Sequence, residues 1–389
     1  MVMHGTRFAN RDDPFQIEKT MSGLPCVTPE AADAGSPAAG RHTAGNTGIA
    51  VSAAGRLHLG FLDPSATVGR RFGSIGMMIE DAETVVHLAS SVVQRLGADI
   101  HAQHEVDRAG RIVAQLQRAS GRYDPIRLHV SKALPAHVGL GSGTQLALAI
   151  GRGFSELHGL GLSTGAIATL LGRGLRSGIG LAGFEHGGVL VDGGHRSRHE
   201  RGPRGGAIEA PRSDDIPPLL ARFDFPDQWR VILVQDLTRC GLHGDGERLG
   251  LQRLPTFSRV KAAHLCHLVL MLILPALAER DFAPFARGIS ELQEEVGSYF
   301  APVQGGVFSS PGVGRLISWI SDHHLAAAGQ SSWGPTAFAI VPSEEKAQII
   351  VSAARAAGVI DAGLVIKIVA GRNRGASVES RAEPVPAMG

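Results

Sequence analysis

The sequence predicts an α+β protein of two domains, and three observations carry that expectation. At 389 residues the chain exceeds the usual size of a single domain. Residues 126–157 read as a strand, a glycine-rich turn and a helix N-terminus in direct succession. From residue 313 onward helix-like and strand-like segments alternate, as they do in an α/β sandwich.

Residues 1–46 are rich in Ala, Gly, Pro, Ser and Thr without periodicity, and are expected to form a flexible tail or an over-long start, since Met3 and Met21 follow Met1. Organised sequence begins at "TGIAVSAAGRLHLGFLD", where Ile49, Val51 and Leu57 mark a strand. In "IRLHVSK" apolar Ile126, Leu128 and Val130 alternate with polar Arg127, His129 and Ser131, the pattern of a half-buried strand. Leu146, Ile150 and Leu157 then recur at helical spacing. "GVLVD" reads as a further strand, and the polar Gly/Pro/Arg-rich stretch 193–218 after it as a surface loop near a domain boundary. The expected domains are 47–220 and 221–375, with a second tail at 376–389. Ser258 to Arg280 suits a buried helix that Pro275 bends or ends. "VGRLISWISDHHLAAAG" and "SEEKAQIIVSAARAAG" read as helices, "TAFAIV" and "GLVIKIVA" as strands, and no internal repeat is evident.

Composition narrows the partners. A formal net charge of +2 lacks the basic excess of a general nucleic-acid binder, so small molecules are expected instead. Cys26, Cys240 and Cys266 show no metal-ligand or redox spacing and read as isolated reduced thiols of a cytoplasmic protein. The longest apolar run, Leu268 to Leu274, is short for a bilayer span and meets Pro275, so no membrane anchoring is expected.

The segment "SKALPAHVGLGSGTQLALAIG" (131–151) carries the chemistry. Glycines let backbone N–H groups approach an anion closely, and a helix N-terminus adds unpaired donors and a favourable dipole. Ser142 and Thr144 contribute hydroxyls, although a turn that merely joins two elements would use the same glycines.

With "GRLHLGFLD" (55–63) and "GQSSWGPTAFAIV" (329–341), the central string "PAHVGLGSGTQ" (135–145) resembles the three motifs of the galactokinase, homoserine kinase, mevalonate kinase and phosphomevalonate kinase superfamily. That resemblance implies a kinase-like two-domain fold: an N-terminal domain like ribosomal protein S5 domain 2 and a ferredoxin-like α/β sandwich at the C-terminus. It covers roughly residues 48–375. Two departures matter. Gly143 stands where the kinase loop carries a second serine, a magnesium ligand, and Gly180 in "RSGIGLAGFEHGG" stands where mevalonate-kinase-like members carry a basic aspartate. The loop "GLGSGTQ", with "WGPTAF", "GR..GSIG" (69–76) and "GGVLVDGGH" (187–195), is similar to the β-ribofuranosylaminobenzene 5′-phosphate synthase family.

That family implies condensation of phosphoribosyl pyrophosphate with 4-aminobenzoate, or its 4-hydroxy analogue, with release of pyrophosphate and carbon dioxide, on the route to tetrahydromethanopterin. The chemistry needs no general base: an electron-rich ring carbon attacks an oxocarbenium-like ribose, and loss of the carboxylate restores aromaticity. Stabilising the departing pyrophosphate becomes the main task. Gly139, Leu140, Gly141, Ser142, Gly143, Thr144 and Gln145 are the loop candidates, with Arg56, Arg70 and Lys132 as cations that could bind phosphate or simply be surface charges. His58 and His137 could donate to phosphate, orient the substrate or pack as ordinary histidines. Asp63, Asp192 and Glu185 are the carboxylate candidates for catalysis; for Asp63 and Asp192 a turn-forming role is equally open. In the last motif Gln330, Ser331, Ser332, Trp333, Gly334, Pro335 and Thr336 either pack against substrate or form a turn, and Trp333 could stack on the ring or belong to the core. Mg2+ is expected with the pyrophosphate substrate, its ligands unidentified, and ATP is not expected. A homodimer is implied by the resemblance alone.

Two other readings stay open. One is an ATP-dependent small-molecule kinase with another metal ligand and base, Glu185 or Asp192. The other is a non-catalytic phosphate-binding relative that kept the scaffold. "VILVQDLTRCG" (231–241) has only one acidic residue where a conventional phosphoribosyl-binding loop has two, and is set aside.

Overall fold

The computed structural model describes residues 47–196, 216–242 and 244–382. The expected tail 1–46, most of the polar loop 193–218 and residues 383–389 lie outside the described residues.

The first half contains β1 (Thr47–Asp63), β2 (Arg70–Ser90), β3 (Arg95–Ala98), α1 (Val106–Ser120), β4 (Ile126–Lys132), α2 (Ser142–Leu157), α3 (Thr164–Leu170), α4 (Ile179–His186), β5 (Val189–Asp192), β6 (His195–Arg196) and β7 (Leu219–Phe223). The second contains β8 (Arg230–Asp236), α5 (Gly244–Arg253), α6 (Arg259–Leu268), α7 (Leu274–Glu279), α8 (Phe282–Gln304), α9 (Pro311–His323), β9 (Ala327–Gln330), β10 (Thr336–Val341), α10 (Glu344–Ala356), β11 (Leu364–Val369) and β12 (Ser377–Ala382). The first sheet runs β12-β1-β2-β4-β3, with β5 and β6 also paired to β2 and β7 to β5. The second is antiparallel, β11-β8-β10-β9.

Strand alternation explains the layers. In β8, Ile232 and Val234 face α9 and α10, while Val231 and Leu233 join the core beneath the first sheet. In β10, Ala337 and Ala339 follow the first pair, and Phe338 and Ile340 the second. Both faces of the second sheet are therefore covered, and its inner face shares one core with Leu57, Leu59, Ile75 and Met77 of the first.

Two boundaries differ from the sequence expectation. Residues 219–223 form β7, paired with β5, so the first sheet extends past the expected boundary at 220. Residues 377–382 are not tail: they form β12 on the edge of β1, with Ser377 opposite Ser52 and Ala382 opposite Thr47. An edge strand is held by its backbone ladder and needs no apolar stripe, which is why "SVESRA" left no signal.

The Ser258–Arg280 helix is interrupted by a π turn, and less deeply buried than expected. A π turn at Val269–Ile273 separates α6 from α7, with Leu274 N–H donating to Val269 O just ahead of Pro275, whose missing N–H interrupts the regular ladder. Residues Arg259–Glu279 are long and apolar enough to cross a membrane by length and composition. Here, however, Leu265, Leu268, Val269, Ile273 and Leu277 enter the core, and Lys261 and His264 pair with Glu295 and Glu291 of α8.

Candidate active site

A register irregularity between β1 and β2, with the extra residues in β2 between Met78 and Glu83, aims the first two site residues. Before it, odd-numbered Ile49, Val51 and Ala53 pack under α2; after it, odd-numbered Leu57 and Leu59 pack in the opposite core. The register shift between Ala54 and Arg56 produces this inversion and turns Arg56 and His58 toward the glycine loop. A second shift, between His58 and Gly60, follows immediately.

The loop itself is locked against the 329–336 segment. A side chain on Gly139 would strike the Ser331 carbonyl, and one on Gly334 would strike the Val138 carbonyl, so two glycines allow two backbones to touch. Ser331 Oγ ties them further, accepting from His58 N–H at 3.0 Å and donating to Gly139 O at 2.7 Å. Gly141 caps α2 in the left-handed conformation, and its carbonyl receives the first helical amides, those of Thr144 and Gln145. The amides of Ser142 and Gly143 precede those bonds and face outward as donors.

These elements line a cavity of about 540 Å3, within the range of a small-molecule site. Arg56, Arg108, Arg173 and Arg176 stand around it. Arg56 donates to Gly139 O at 2.6 Å; burial pushes its guanidinium down to about 10, opposed by Glu247, so it stays charged at neutral pH. Arg108 is held by Glu105 at 3.0 Å and lies 3.5 Å from His137 Nε2. Arg176 pairs with Glu247. Burial and the neighbouring Arg108 charge lower the Arg173 pKa, and its Nε is buried without a protein partner. A buried guanidinium whose pKa a neighbouring positive charge lowers is favoured by an anion placed beside both.

Part of the cavity lining is aromatic. His58, Phe61 and Trp333 face the cavity, the His58 and Phe61 rings 4.4 Å apart. Trp333 is only 4% exposed and packs edge-on against Phe300 at 4.6 Å, so it belongs both to the core and to the cavity wall.

Of the sequence-based candidates, Arg56, His58, His137, Gly139, Gly141, Ser142, Gly143, Thr144, Ser332, Trp333 and Gly334 meet at this cavity. Several others do not line it. Lys132 is an exposed partner of Glu83, and Arg70 clamps the Gly193 and Gly194 carbonyls. Asp63 forms a turn, accepting from Ser65 N–H, Thr67 N–H and Thr67 Oγ. Glu185 lies exposed near the end of α4, so it does not replace the carboxylate that Gly180 lacks. Asp192 is buried and accepts from Ser74 Oγ, Gly178 N–H, Gly194 N–H and, at 3.4 Å, the hydroxyl of cavity-lining Ser177, so it holds the turn before α4 from behind the lining. Leu140 is core, Gln145 anchors the Gly180 carbonyl, Gln330 bridges Ser309, Gln304 and Ser332, and Thr336 is buried in β10.

Sequence reasoning missed Arg108, Arg173, Arg176 and Glu247. Arg173 and Arg176 fall in the glycine-flanked string "GRGLRSG", a usable signal, whereas Arg108 and Glu247 sit on helices with no local signature. Gly143 is not required by packing: a side-chain carbon there would lie 3.7 Å from Arg173 and 3.9 Å from Arg108, ordinary contact.

Residues 107–188 match the GHMP kinases N terminal domain and residues 273–360 the GHMP kinases C terminal domain. Homoserine kinase from Cytophaga hutchinsonii superposes with a TM-score of 0.59 at 16% identity, covering 85% of this chain and 97% of that one. Mevalonate diphosphate decarboxylase from Staphylococcus aureus gives 0.59 at 15%, covering 86% and 98%. These two establish the kinase-like fold. The beta-ribofuranosylphenol 5′-phosphate synthase of Archaeoglobus fulgidus is 36% identical over 293 residues, 74% of this chain and 86% of that protein. Its namesake in Methanothermobacter thermautotrophicus is 31% identical over 335 residues, 84% of this chain and 98% of that protein. With identities at this level over nearly the whole length of both relatives, the chain belongs to the beta-ribofuranosylphenol 5′-phosphate synthase family, on the GHMP kinase fold.

Proposed function

We propose that this protein is a phosphoribosyl-transferring synthase that joins phosphoribosyl pyrophosphate to 4-hydroxybenzoate or 4-aminobenzoate through a carbon–carbon bond, releasing pyrophosphate and carbon dioxide. The observation that carries the reading is the cavity's charge: four arginines and the α2 N-terminus surround a loop without the kinase serine and a helix without the kinase aspartate.

The bond between ribose C1 and the pyrophosphate oxygen breaks with both electrons leaving on oxygen. Arg108, Arg173 and the Ser142 and Gly143 amides stabilise that developing charge, where preorganised donors act most strongly. The ring carbon bearing the carboxylate attacks C1, and the electrons of its bond to the carboxylate then return to the ring as carbon dioxide departs. No proton has to be removed from carbon, so Gly180 is no defect. Among the described lining residues Glu247 is the carboxylate, and it is committed to Arg176. No group of three or more His, Cys, Asp or Glu that could hold a metal gathers among the described residues. In this reading the magnesium ion arrives on the pyrophosphate oxygens. A cytoplasmic homodimer acting on small molecules, within tetrahydromethanopterin synthesis, completes the proposal.

The test incubates purified protein with magnesium, phosphoribosyl pyrophosphate and carboxyl-labelled 4-hydroxybenzoate or 4-aminobenzoate. Equal release of labelled carbon dioxide and pyrophosphate, dependent on both substrates, is the expected result. ATP consumption with alcohols and no such release would return the chain to the kinases.

A further inference from the structure

Behind the aromatic wall lies a recess of about 30 Å3, large enough for one water molecule or one ring substituent. His58, Phe61, Ser332 and Trp333 line both it and the main cavity. Three glutamines close the recess, and each is already engaged. Gln293 receives Gln330 N–H at 2.8 Å and donates to Leu59 O. Gln330 accepts from Ser309 N–H and donates to Gln304 and Ser332 O, and Gln304 donates to Val307 O at 2.8 Å. His58 differs: it is 3% exposed, and its Nε2 is buried without a protein partner. In the tautomer that carries the proton on Nδ1, Nε2 stands as a buried acceptor. Burial, reinforced by the Arg56 charge, pushes the imidazole down to about 3, so it remains a neutral acceptor.

Resting on the function proposed above, we infer that His58 Nε2 receives the para O–H or N–H of the aromatic co-substrate, whose ring lies against Phe61 and Trp333 and whose para group enters the recess. The opposite end of the ring, bearing the carboxylate, then faces the arginine side, where ribose C1 must lie. A hydroxyl and an amino group both donate, so this acceptor takes either, and it discriminates against rings with no para donor. As the ring attacks, positive charge grows on the para group and the hydrogen bond tightens without the proton leaving. A buried acceptor left unpaired by the wrong ring is also a strong basis for rejection.

Binding is measured separately from turnover. Inorganic pyrophosphate is titrated first by calorimetry, and 4-hydroxybenzoate, 4-aminobenzoate and 4-methoxybenzoate are then followed by saturation-transfer NMR on the pyrophosphate-loaded protein. The two donor rings are expected to bind and the methoxy ring to bind at least about 100-fold more weakly. His58→Phe should reduce binding of both donor rings at least about 10-fold and leave pyrophosphate affinity within about twofold; His58→Gln, which keeps an acceptor, should recover part of the loss. Phe61→Leu, which removes the ring wall but not the acceptor, should weaken all rings while keeping the preference for a donor. Equal binding of the methoxy ring, unchanged ring binding in His58→Phe, or no benzoate binding at all would overturn the assignment of His58. Absence of pyrophosphate binding with normal ring binding would instead sink the synthase reading and leave the acceptor standing.

Discussion

The two walls of the cavity handle charge in opposite ways. On the loop side Arg56 keeps its charge although buried, and Arg173 sits beside Arg108 with a buried Nε that has no protein partner. On the aromatic side His58 is held neutral among Phe61 and Trp333. On the proposed reaction, the difference teaches how one site would separate a leaving anion from a developing cation, with donors toward the pyrophosphate and a neutral acceptor toward the ring. By resemblance to the kinases, a phosphoryl-transfer site would carry a metal ligand and a base at the positions of Gly143 and Gly180, and neither glycine supplies such a group.

The largest effect should come from the cationic wall. Arg173→Met is expected to lower kcat/KM for phosphoribosyl pyrophosphate by about 10²–10³-fold, the usual consequence of deleting one donor to a developing oxyanion. Steady-state kinetics should show the KM of the aromatic acid within about threefold of normal, and Arg173→Lys should restore little, because a point charge does not reproduce the guanidinium fork. Equal losses for both substrates would erase the distinction between the walls.

The aromatic wall should show itself in stability. In the folded chain His58 protonates near pH 3, against about 6.5 when unfolded. Below pH 6.5 the unfolded state therefore binds the additional proton, and stability falls as pH falls through the window from about 6.5 toward 3. Between pH 7 and pH 5 this one group contributes a loss of about 2 kcal/mol. Urea unfolding of the natural protein and of His58→Gln at the two pH values should differ by that amount, with the variant less sensitive to acid.

The loop wall was largely legible in the sequence, because a phosphate cradle is a local device: strand, glycines and helix N-terminus follow one another from Ile126 to Leu157. The alternation of helices and strands from residue 313 onward likewise marked β10 and β11 of the second sheet, whereas β8 was not legible as one of its strands. Arg108 was not legible. It reaches the cavity only because α1 packs beside α2, a tertiary fact with no sequence period. The role of His58 was hidden for another reason: a register irregularity at Ala54/Arg56 reverses which residues of β1 face the loop, and simple alternation does not foretell one. Two of the carboxylate candidates do not line the cavity: Asp63 is engaged in its own local turn, and Glu185 lies exposed near the end of α4.

The smallest expected effect is also the sharpest test of what the glycines mean. Gly143→Ser restores the kinase loop's hydroxyl at a position where a side-chain carbon meets only ordinary contacts, 3.7 Å from Arg173 and 3.9 Å from Arg108. The variant should fold, and its kcat/KM for synthase turnover should stay within about fivefold, since the amide at 143 is kept and one small polar group is added. It should gain no ATP-dependent phosphoryl transfer. Gly180 still supplies no base; a carbon there would crowd Thr144 at 3.2 Å, so an aspartate could not simply be added beside the loop. Measured ATP hydrolysis or transfer by Gly143→Ser would mean that the two walls are a kinase site lacking one hydroxyl. Its continued absence, with pyrophosphate release intact, would mean that the arrangement of guanidiniums, and not the missing serine, decides which bond this cavity breaks.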